Sequence, residues 1–312
     1  MSKYLGIDTS NYTTSVAVYD SDTDCFVNEK KLLPVRSGEK GLRQSDAVFH
    51  HTVQLPELFD RIDFAGIGKV DAIGVSVSPT TQDGSYMPCF LSGVSVATAL
   101  ADTLGVPLYR FSHQQGHIAA VLASCANEKL LKESFIAFHL SGGTTDALLV
   151  KPDIDRLIDI SLVAHSLDLK AGQAVDRTGL MLGLDFPCGA ELDRLAQKSV
   201  KEYKIKPSMK GADCSLSGIE NKCRSMLDSG EAKEDIAKFC ISYIASSIEA
   251  MLVELKKQHG DLHVVFCGGV SSNTMLQRIF KDKYNAVFST PEYSTDNAAG
   301  IAYLAYMMNS KD

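Results

Sequence analysis

"FIAFHLSGGTTDALLV", Phe135 to Val150, decides how this chain is read. An apolar run leads into Ser141, Gly142, Gly143, Thr144 and Thr145, and a second apolar run follows. Apolar runs divided by a small hydroxyl- and glycine-rich turn read as the two strands of a β-hairpin. "YLGIDTSNYTTSVAVYD", Tyr4 to Asp20, repeats the plan with paired threonines in the turn. Each hairpin opens roughly one half of the chain, which points to a duplicated architecture. A third element, "LHVVFCGGVSSNTML" (Leu262 to Leu276), is a buried strand, the pair Gly268-Gly269, and then Ser271, Ser272 and Asn273 opening a helix. Backbone N–H groups and the dipole at such a helix start favour anions, so this corner suits a nucleotide phosphate.

Helical patterns lie between these elements. Leu167 to Leu184 carries apolar residues at helical spacing, and Asp235 to Gly260 is a long amphipathic helix with a basic last turn and a glycine stop. The apolar run Leu91 to Leu108 is broken by Ser92, Ser95, Thr98, Asp102 and Thr103, and reads as a buried helix ending at Gly105. "STDNAAGIAYLAYMMNS" opens on residues suited to an N-cap and continues as an apolar helix.

The bulk numbers exclude several classes. The chain has 312 residues, 45% hydrophobic and 22% charged, ordinary for a globular protein with room for two lobes. Its net charge of -7 gives no global basic field, so RNA contact needs a local basic strip or a partner. "KSVKEYKIKPSMK" (Lys198 to Lys210), with five lysines in thirteen residues, is the best such strip, and a solvated loop is its plain alternative. Eight scattered cysteines without a C-x-x-C pair fit reduced thiols, and the N-terminus lacks a signal-peptide core. The expectation is a cytoplasmic protein without a membrane span.

"FSHQQGHIAA" (Phe111 to Ala120) places His113 and His117 one helical turn apart. Two imidazoles on one face can begin a metal site, yet a metal needs at least a third ligand. On their own the two histidines fit a helix surface equally well.

Taken together, the motifs resemble the TsaD family, formerly O-sialoglycoprotein endopeptidases, within the actin/Hsp70/sugar-kinase (ASKHA) superfamily. "LGIDTS" resembles the family's opening strand, and "HQQGH" its H-x-x-G-H element. "LSGGTTDALLV" is similar to V-S-G-G-H-T, and "KAGQAVDRTGLMLGLDFPCG" (Lys170 to Gly189) to A-G-E-A-F-D-K…L-G-L-x-Y-P-G-G. "CSLSGIENK" resembles F-S-F-S-G-L-K-T, "GGVSSNTMLQ" resembles G-G-V-x-x-N…L-R, and "STDNAAGIA" resembles the C-T-D-N-x-x-M-I-A ending.

The resemblance implies an α/β, two-lobed actin-like fold, with duplicated ribonuclease H-like lobes and a nucleotide and metal cleft between them. It divides the chain into an N-terminal lobe (1–110), a C-terminal lobe (111–295) and a C-terminal helix (296–312) returning to the first lobe. It implies transfer of a threonylcarbamoyl or related carbamoyl group from an adenylate to N6 of the tRNA adenosine beside the anticodon. Asp296 becomes the third ligand beside His113 and His117, around one divalent ion, iron or zinc. Ser141, Gly142, Gly143, Thr144, Gly172, Asp176, Gly189 and Asn273 become the nucleotide or substrate residues, for ATP, AMP or an acyl-adenylate. Within that set, Gly172 and Gly189 are expected to face the nucleoside from the wall opposite the Ser141–Gly143 turn. No catalytic residue is assigned. Implied partners are tRNA, TsaB-like and TsaE-like proteins, or a second copy in a homodimer.

Departures from the pattern concentrate at the chemistry. The family's S-C-D-E-T is Ser10-Asn11-Tyr12-Thr13-Thr14 here, so both acids are missing. The loop before the histidine helix is the longer "SPTTQDGSYMPCFLSG" (Ser78 to Gly93), and Thr144 replaces the histidine of S-G-G-H-T. Glu220-Asn221 displaces the lysine of S-G-L-K-T, although Lys222 lies close, and Cys188 replaces one glycine. These changes keep open a divergent carbamoyltransferase or kinase with another acceptor, and a non-catalytic nucleotide-binding partner. Endopeptidase activity is disfavoured, because no H-E-x-x-H appears.

Overall fold

The computed structural model describes residues 2–10, 12–34, 42–124, 128–289 and 298–311. Its contacts divide the chain into two units. The first comprises Met1–Lys132, Pro152–Ile160 and Thr295–Asp312, and the second Glu133–Lys151 and Ser161–Ser294.

In the first unit, β1 (Lys3–Ser10), β2 (Thr13–Asp20) and β3 (Cys25–Leu32) form an antiparallel meander. β4 (Ala72–Ser78) and β5 (Leu108–Ser112) extend it in parallel, giving the order β3-β2-β1-β4-β5. Helices α1 (Gln44–Phe59), α2 (Phe64–Ile67), α3 (Phe90–Leu104) and α4 (His113–Ser124) complete this part of the chain. Side chains alternate across a strand. Leu5 and Ile7 of β1, with Ile73 and Val75 of β4, enter one core with Leu55, Leu58 and Ala97 of the helices. As expected, α3 stops at Gly105, which is left-handed at φ 65°.

The second unit repeats this plan. β6 (Phe135–Leu140) and β7 (Thr145–Asp153) are the antiparallel hairpin, β8 (Leu157–His165) lies outside β7, and the order is β12-β11-β6-β7-β8. Each β1–β5 strand thus has a counterpart in the same place, with β11 (His263–Cys267) and β12 (Val287–Phe288) as the parallel pair. Around the sheet come α5 (Ala171–Met181), α6 (Gly189–Lys198), the small hairpin β9 (Ser208–Lys210) with β10 (Asp213–Ser215), α7 (Gly218–Asp228), α8 (Lys233–His259) and α9 (Thr274–Tyr284). α8 is long and apolar enough to cross a membrane. Ile236, Ile241, Ile244, Ile248, Met251 and Leu255 commit that apolarity to the unit's own core.

Helix α5 is shorter than the 167–184 pattern predicts. The Asp168 carboxylate accepts from the backbone N–H groups of Leu169 (2.6 Å), Leu216 (2.7 Å) and Ser217 (3.3 Å), and from the Ser217 hydroxyl (2.6 Å). Those bonds hold the residues before Lys170 in a non-helical path, so periodicity alone overextends the helix.

The last helix, α10 (Ala298–Asn309), lies in the first unit. It sits at backbone distance. A Cβ on Gly6 of β1 would lie 2.1 Å from the Ala298 carbonyl, and one on Gly74 of β4 would lie 2.6 Å from that of Ile301. A Cβ on Gly300 would lie 1.9 Å from the Gly116 carbonyl of α4. The predicted division after residue 110 therefore differs from the contact units, because α4 is clasped by α10 and stays with the first sheet. Gly116 is accounted for by the same contact, where the Gly300 backbone meets it. Gly300→Ala is expected to destabilise the protein by about 2–4 kcal/mol through overpacking against backbone that cannot yield. Thermal unfolding checks this, with Gly269→Ala, where a Cβ meets nothing within 4 Å and the backbone is not left-handed, as the comparison for a spacious site.

Candidate functional site

In the first unit the candidate residues gather at the ends of β1, β4 and β5. Asp8 is 1% exposed on β1. It accepts a hydrogen bond from the Ser76 hydroxyl of β4, and His113 Nδ1 lies 3.2 Å from each of its carboxylate oxygens. Burial works to raise the Asp8 carboxyl, but the charge of His113 and hydrogen bonds from His113, Ser76 and Ser10 outweigh it, holding the group below its usual 3.8. A ring nitrogen facing a carboxylate is the protonated one, so in the neutral ring Nε2 of His113 is the nitrogen that carries the lone pair. His117 follows one turn along α4, with ring centroids 4.7 Å apart.

Two imidazoles on one helix face, one held by a buried acid, suit a borderline ion such as iron or zinc. Asp296, the expected third ligand, lies outside the described residues, as does Asn11. Among the described residues no group of three or more His, Cys, Asp or Glu side chains is gathered to hold a metal.

Hydroxyl groups tie the surrounding loops together. Thr9 Oγ1 donates to the Cys89 carbonyl (3.0 Å) and accepts from the Gly93 N–H (3.2 Å), fixing the first turn of α3, at the end of the Ser78–Gly93 loop, to β1. Within that loop, Ser85 Oγ accepts from both the N–H and the hydroxyl of Thr80. Thr14 Oγ1 donates to Gln54 Oε1 at 2.7 Å and accepts from His51 Nδ1 at 2.8 Å, joining β2 to α1. His51 is fully buried, and burial lowers its pKa from 6.5 to about 4 despite the opposing pull of Asp8 and the Ser10 backbone. Thr13 ends the hairpin opposite Ser10, and Tyr12 at the turn is exposed.

In the second unit, the Ser141–Thr144 turn folds back on itself. Ser141 Oγ accepts from the N–H groups of Gly143 (3.2 Å) and Thr144 (3.0 Å) and lies 2.7 Å from Thr144 Oγ1. The turn is latched to the start of α5. Gly172 N–H donates to the Ser141 carbonyl (3.0 Å), and Ala171 N–H to Thr145 Oγ1 (2.7 Å). A Cβ on Gly172 would lie within 2.7 Å of the Gly142 backbone, so Gly172 backs the turn and does not stand on an opposite wall.

Asp176 accepts from the Cys188 N–H at 3.0 Å, so it ties α5 to the start of α6, where Gly189 faces open space. Asn273 caps α9 through the Leu276 N–H (3.0 Å). Asp193 of α6 takes the Thr274 N–H (3.0 Å) and hydroxyl (2.8 Å), so the helix end expected to hold phosphate already carries an acid. Gly268, at φ 89°, adopts a conformation that favours glycine, and a Cβ there would meet the Leu140 carbonyl at 2.4 Å. The structure thus brings Ser141, Gly142, Gly143, Thr144 and Gly172 together. His113 and His117 fall in the other unit.

Residues that the motifs did not single out include Asp8, Asp168 and Asp146, whose carboxyl burial raises against the pull of Lys170 and His165. A charged residue inside an apolar strand such as "LGIDTS" is the available signal, since a buried acid demands partners.

The family description "tRNA N6-adenosine threonylcarbamoyltransferase" matches residues 36–303. The chain belongs to the TsaD family. It is accordingly a transferase of a tRNA-modifying family. A protein of that name from Thermosipho africanus is 33% identical, covering 98% of this chain and 94% of its own length. Another, from Riemerella anatipestifer, is 30% identical over 97% and 92%. Among solved structures, component A of (R)-2-hydroxyglutaryl-CoA dehydratase from Acidaminococcus fermentans aligns with TM-score 0.57 at 16% identity, over 99% of this chain and all of its own. HypF from T. kodakarensis aligns with TM-score 0.61 at 14% identity, over 99% of this chain and 48% of its own. These structures share the actin-like α/β fold expected from the sequence.

Two outcomes follow from the geometry. Between about pH 4 and 6.5 the folded state binds fewer protons at His51 than the unfolded chain, so stability rises with pH and is fully present above 6.5. Unfolding midpoints should fall as pH drops through that window, and His51→Gln should flatten the fall. Gly172→Ala should push the turn off α5, which hydrogen exchange will read as roughly tenfold or greater loss of protection at residues 141–145.

Proposed function

We propose that this transferase moves a threonylcarbamoyl group from an adenylate to N6 of the tRNA adenosine beside the anticodon, with a divalent ion at His113, His117 and Asp296. The adenosine N6 forms the new C–N bond at the carbamoyl carbon. The carbon–oxygen bond to the phosphate breaks, AMP leaves with its electron pair, and N6 sheds one proton to phosphate or water. The mixed anhydride is already activated, so the protein contributes orientation and charge stabilisation more than acid–base chemistry. When bound, the ion supplies Lewis-acid polarisation of a carbamoyl or phosphate oxygen.

The observation that carries the reading is the buried Asp8 carboxylate behind His113 Nδ1. That acid selects the tautomer whose Nε2 can ligate, the outer-sphere arrangement found behind metal-bound imidazoles. The latched Ser141–Thr144 turn supports nucleotide binding in the second unit, where loosening the Ser141 contacts would free two backbone N–H donors. Missing acids at Tyr12 and Thr13 do not remove this machinery. They remove negative charge beside it.

The test supplies purified protein with threonylcarbamoyl-adenylate, unmodified tRNA and the TsaB-like and TsaE-like partners, and detects the modified nucleoside by mass spectrometry. His113→Ala and His117→Ala should lose bound metal and at least about a hundredfold in rate. Asp8→Asn should weaken metal binding about 10–100-fold in a direct titration. Full activity after chelation would remove the metal from the reading, and unmodified tRNA throughout would remove the acceptor.

A further inference from the structure

The lysine-rich strip is ordered, and its lysines are sorted. From Glu202 to Lys210 burial alternates: Tyr203, Ile205, Pro207 and Met209 are half-buried, while Glu202, Lys204, Lys206, Ser208 and Lys210 are exposed. Met209 packs against the core of the second unit, and Tyr203 donates its hydroxyl to the Asp235 carbonyl at 3.1 Å.

Lys201 is different in kind. Its ammonium lies 2.8 Å from Asp235 and 3.1 Å from Glu231, and those hydrogen bonds raise its pKa above the usual lysine value. The same Asp235 accepts from the Ser199 hydroxyl at 2.6 Å, and Lys238 donates to the Ser199 carbonyl at 2.9 Å. Lys201 therefore fastens the strip to the start of α8. Among the described residues, no ion pair involves Lys198, Lys204, Lys206 or Lys210. At the fastened end, Ser199 also lines a polar cavity of about 360 Å³ with Lys238, Thr274 and Arg278, which adds cationic groups there.

We infer that this comb is the docking surface for the phosphate backbone of the tRNA acceptor, an inference resting on the transferase reading above. A flexible lysine tail would lose conformational entropy on meeting a partner. Here the backbone is already fixed, and alternate residues of an extended segment repeat at about 7 Å. Lys204 and Lys206 take neighbouring exposed positions and Lys210 the next but one, beyond Ser208, so the ammonium groups can meet phosphates along a backbone. The charge is also placed against the trend of the chain. A molecule of net charge -7 repels polyanions at long range, so a segment carrying five lysines and one acid is where a polyanion can approach. Compact ammonium groups on an exposed face bind phosphates by charge and carry no base readout, which suits docking on an RNA backbone.

The full chain is titrated with unmodified tRNA across a series of salt concentrations. Two triple variants are compared with it: Lys204→Gln, Lys206→Gln, Lys210→Gln, and the same positions changed to Arg. The Gln variant should lose tenfold or more in affinity, and the slope of log affinity against log salt should shrink by about 2–3. The Arg variant should keep both, and all three proteins should melt together. An unchanged slope in the Gln variant overturns the comb and leaves the transferase reading standing. Equal losses in both variants overturn it as well, because charge would then not be the cause. A change seen with anionic lipid vesicles and not with tRNA assigns the strip to a membrane surface and overturns the RNA assignment. Absence of tRNA binding by the unaltered chain overturns the comb and the acceptor reading together.

Discussion

Backbone-to-backbone contact between the last helix and the first sheet is the constraint on which the first unit depends. Gly6, Gly74 and Gly300 have no Cβ where one would lie 1.9–2.6 Å from a carbonyl oxygen. Close approach of this kind gains dispersion and excludes water along the whole contact, but only while every one of those positions stays bare. It also closes a chain of about 300 residues on itself, since α10 covers strands made from the first residues. The histidine helix α4 is drawn into the same contact through Gly116, so the candidate metal ligands inherit their position from a packing decision made elsewhere.

In the second unit, hydroxyls and carboxylates do the corresponding work. Asp168 collects three backbone N–H groups and a hydroxyl, Asp176 ties α5 to α6, and Asp193 closes the start of α9. Each satisfies donors that a loop or helix end would otherwise leave open. The nucleotide-type corner is thus a set of loops fastened by acids. An incoming phosphate has to compete with Asp193 at the α9 terminus, whereas at the Ser141–Thr144 turn it competes only with a neutral hydroxyl. The turn is the better anion site of the two on this ground.

The duplicated hairpins were legible because a strand–turn–strand with small turns leaves a pattern in composition, and the structure places their strands in equivalent sheet positions. Gly268, Asn273 and Gly105 were legible for the same reason: turn and cap chemistry is local. The start of α5 was not, because Asp168 finds its partners at Leu216 and Ser217, far along the chain. Gly172 was assigned to a ligand-facing wall, yet the residue it must make room for is Gly142. Spacing cannot reveal which backbone will lie opposite a bare Cα. Asp8 stood in plain view within an apolar strand, and its partners Ser76 and His113 come from elements that only the parallel sheet brings beside it.

Register links these features. β1 pairs with β4 so that Ile7 lies beside Val75, which puts Asp8 beside Ser76, and the β1–β2 ladder sets Asp8 opposite Ser15. Side chains alternate faces along a strand, so Gly6 and Asp8 share one face while Leu5 and Ile7 share the other. A slip of one residue would turn the bare Gly6 toward the helical core and put a leucine or isoleucine where Gly6 meets α10, a place at which a Cβ runs into the Ala298 carbonyl. It would also carry Asp8 away from His113 into an apolar core, unpaired. The same pairing that seats the last helix therefore aims the buried acid, and no separate device is needed to hold the histidine in its ligating tautomer.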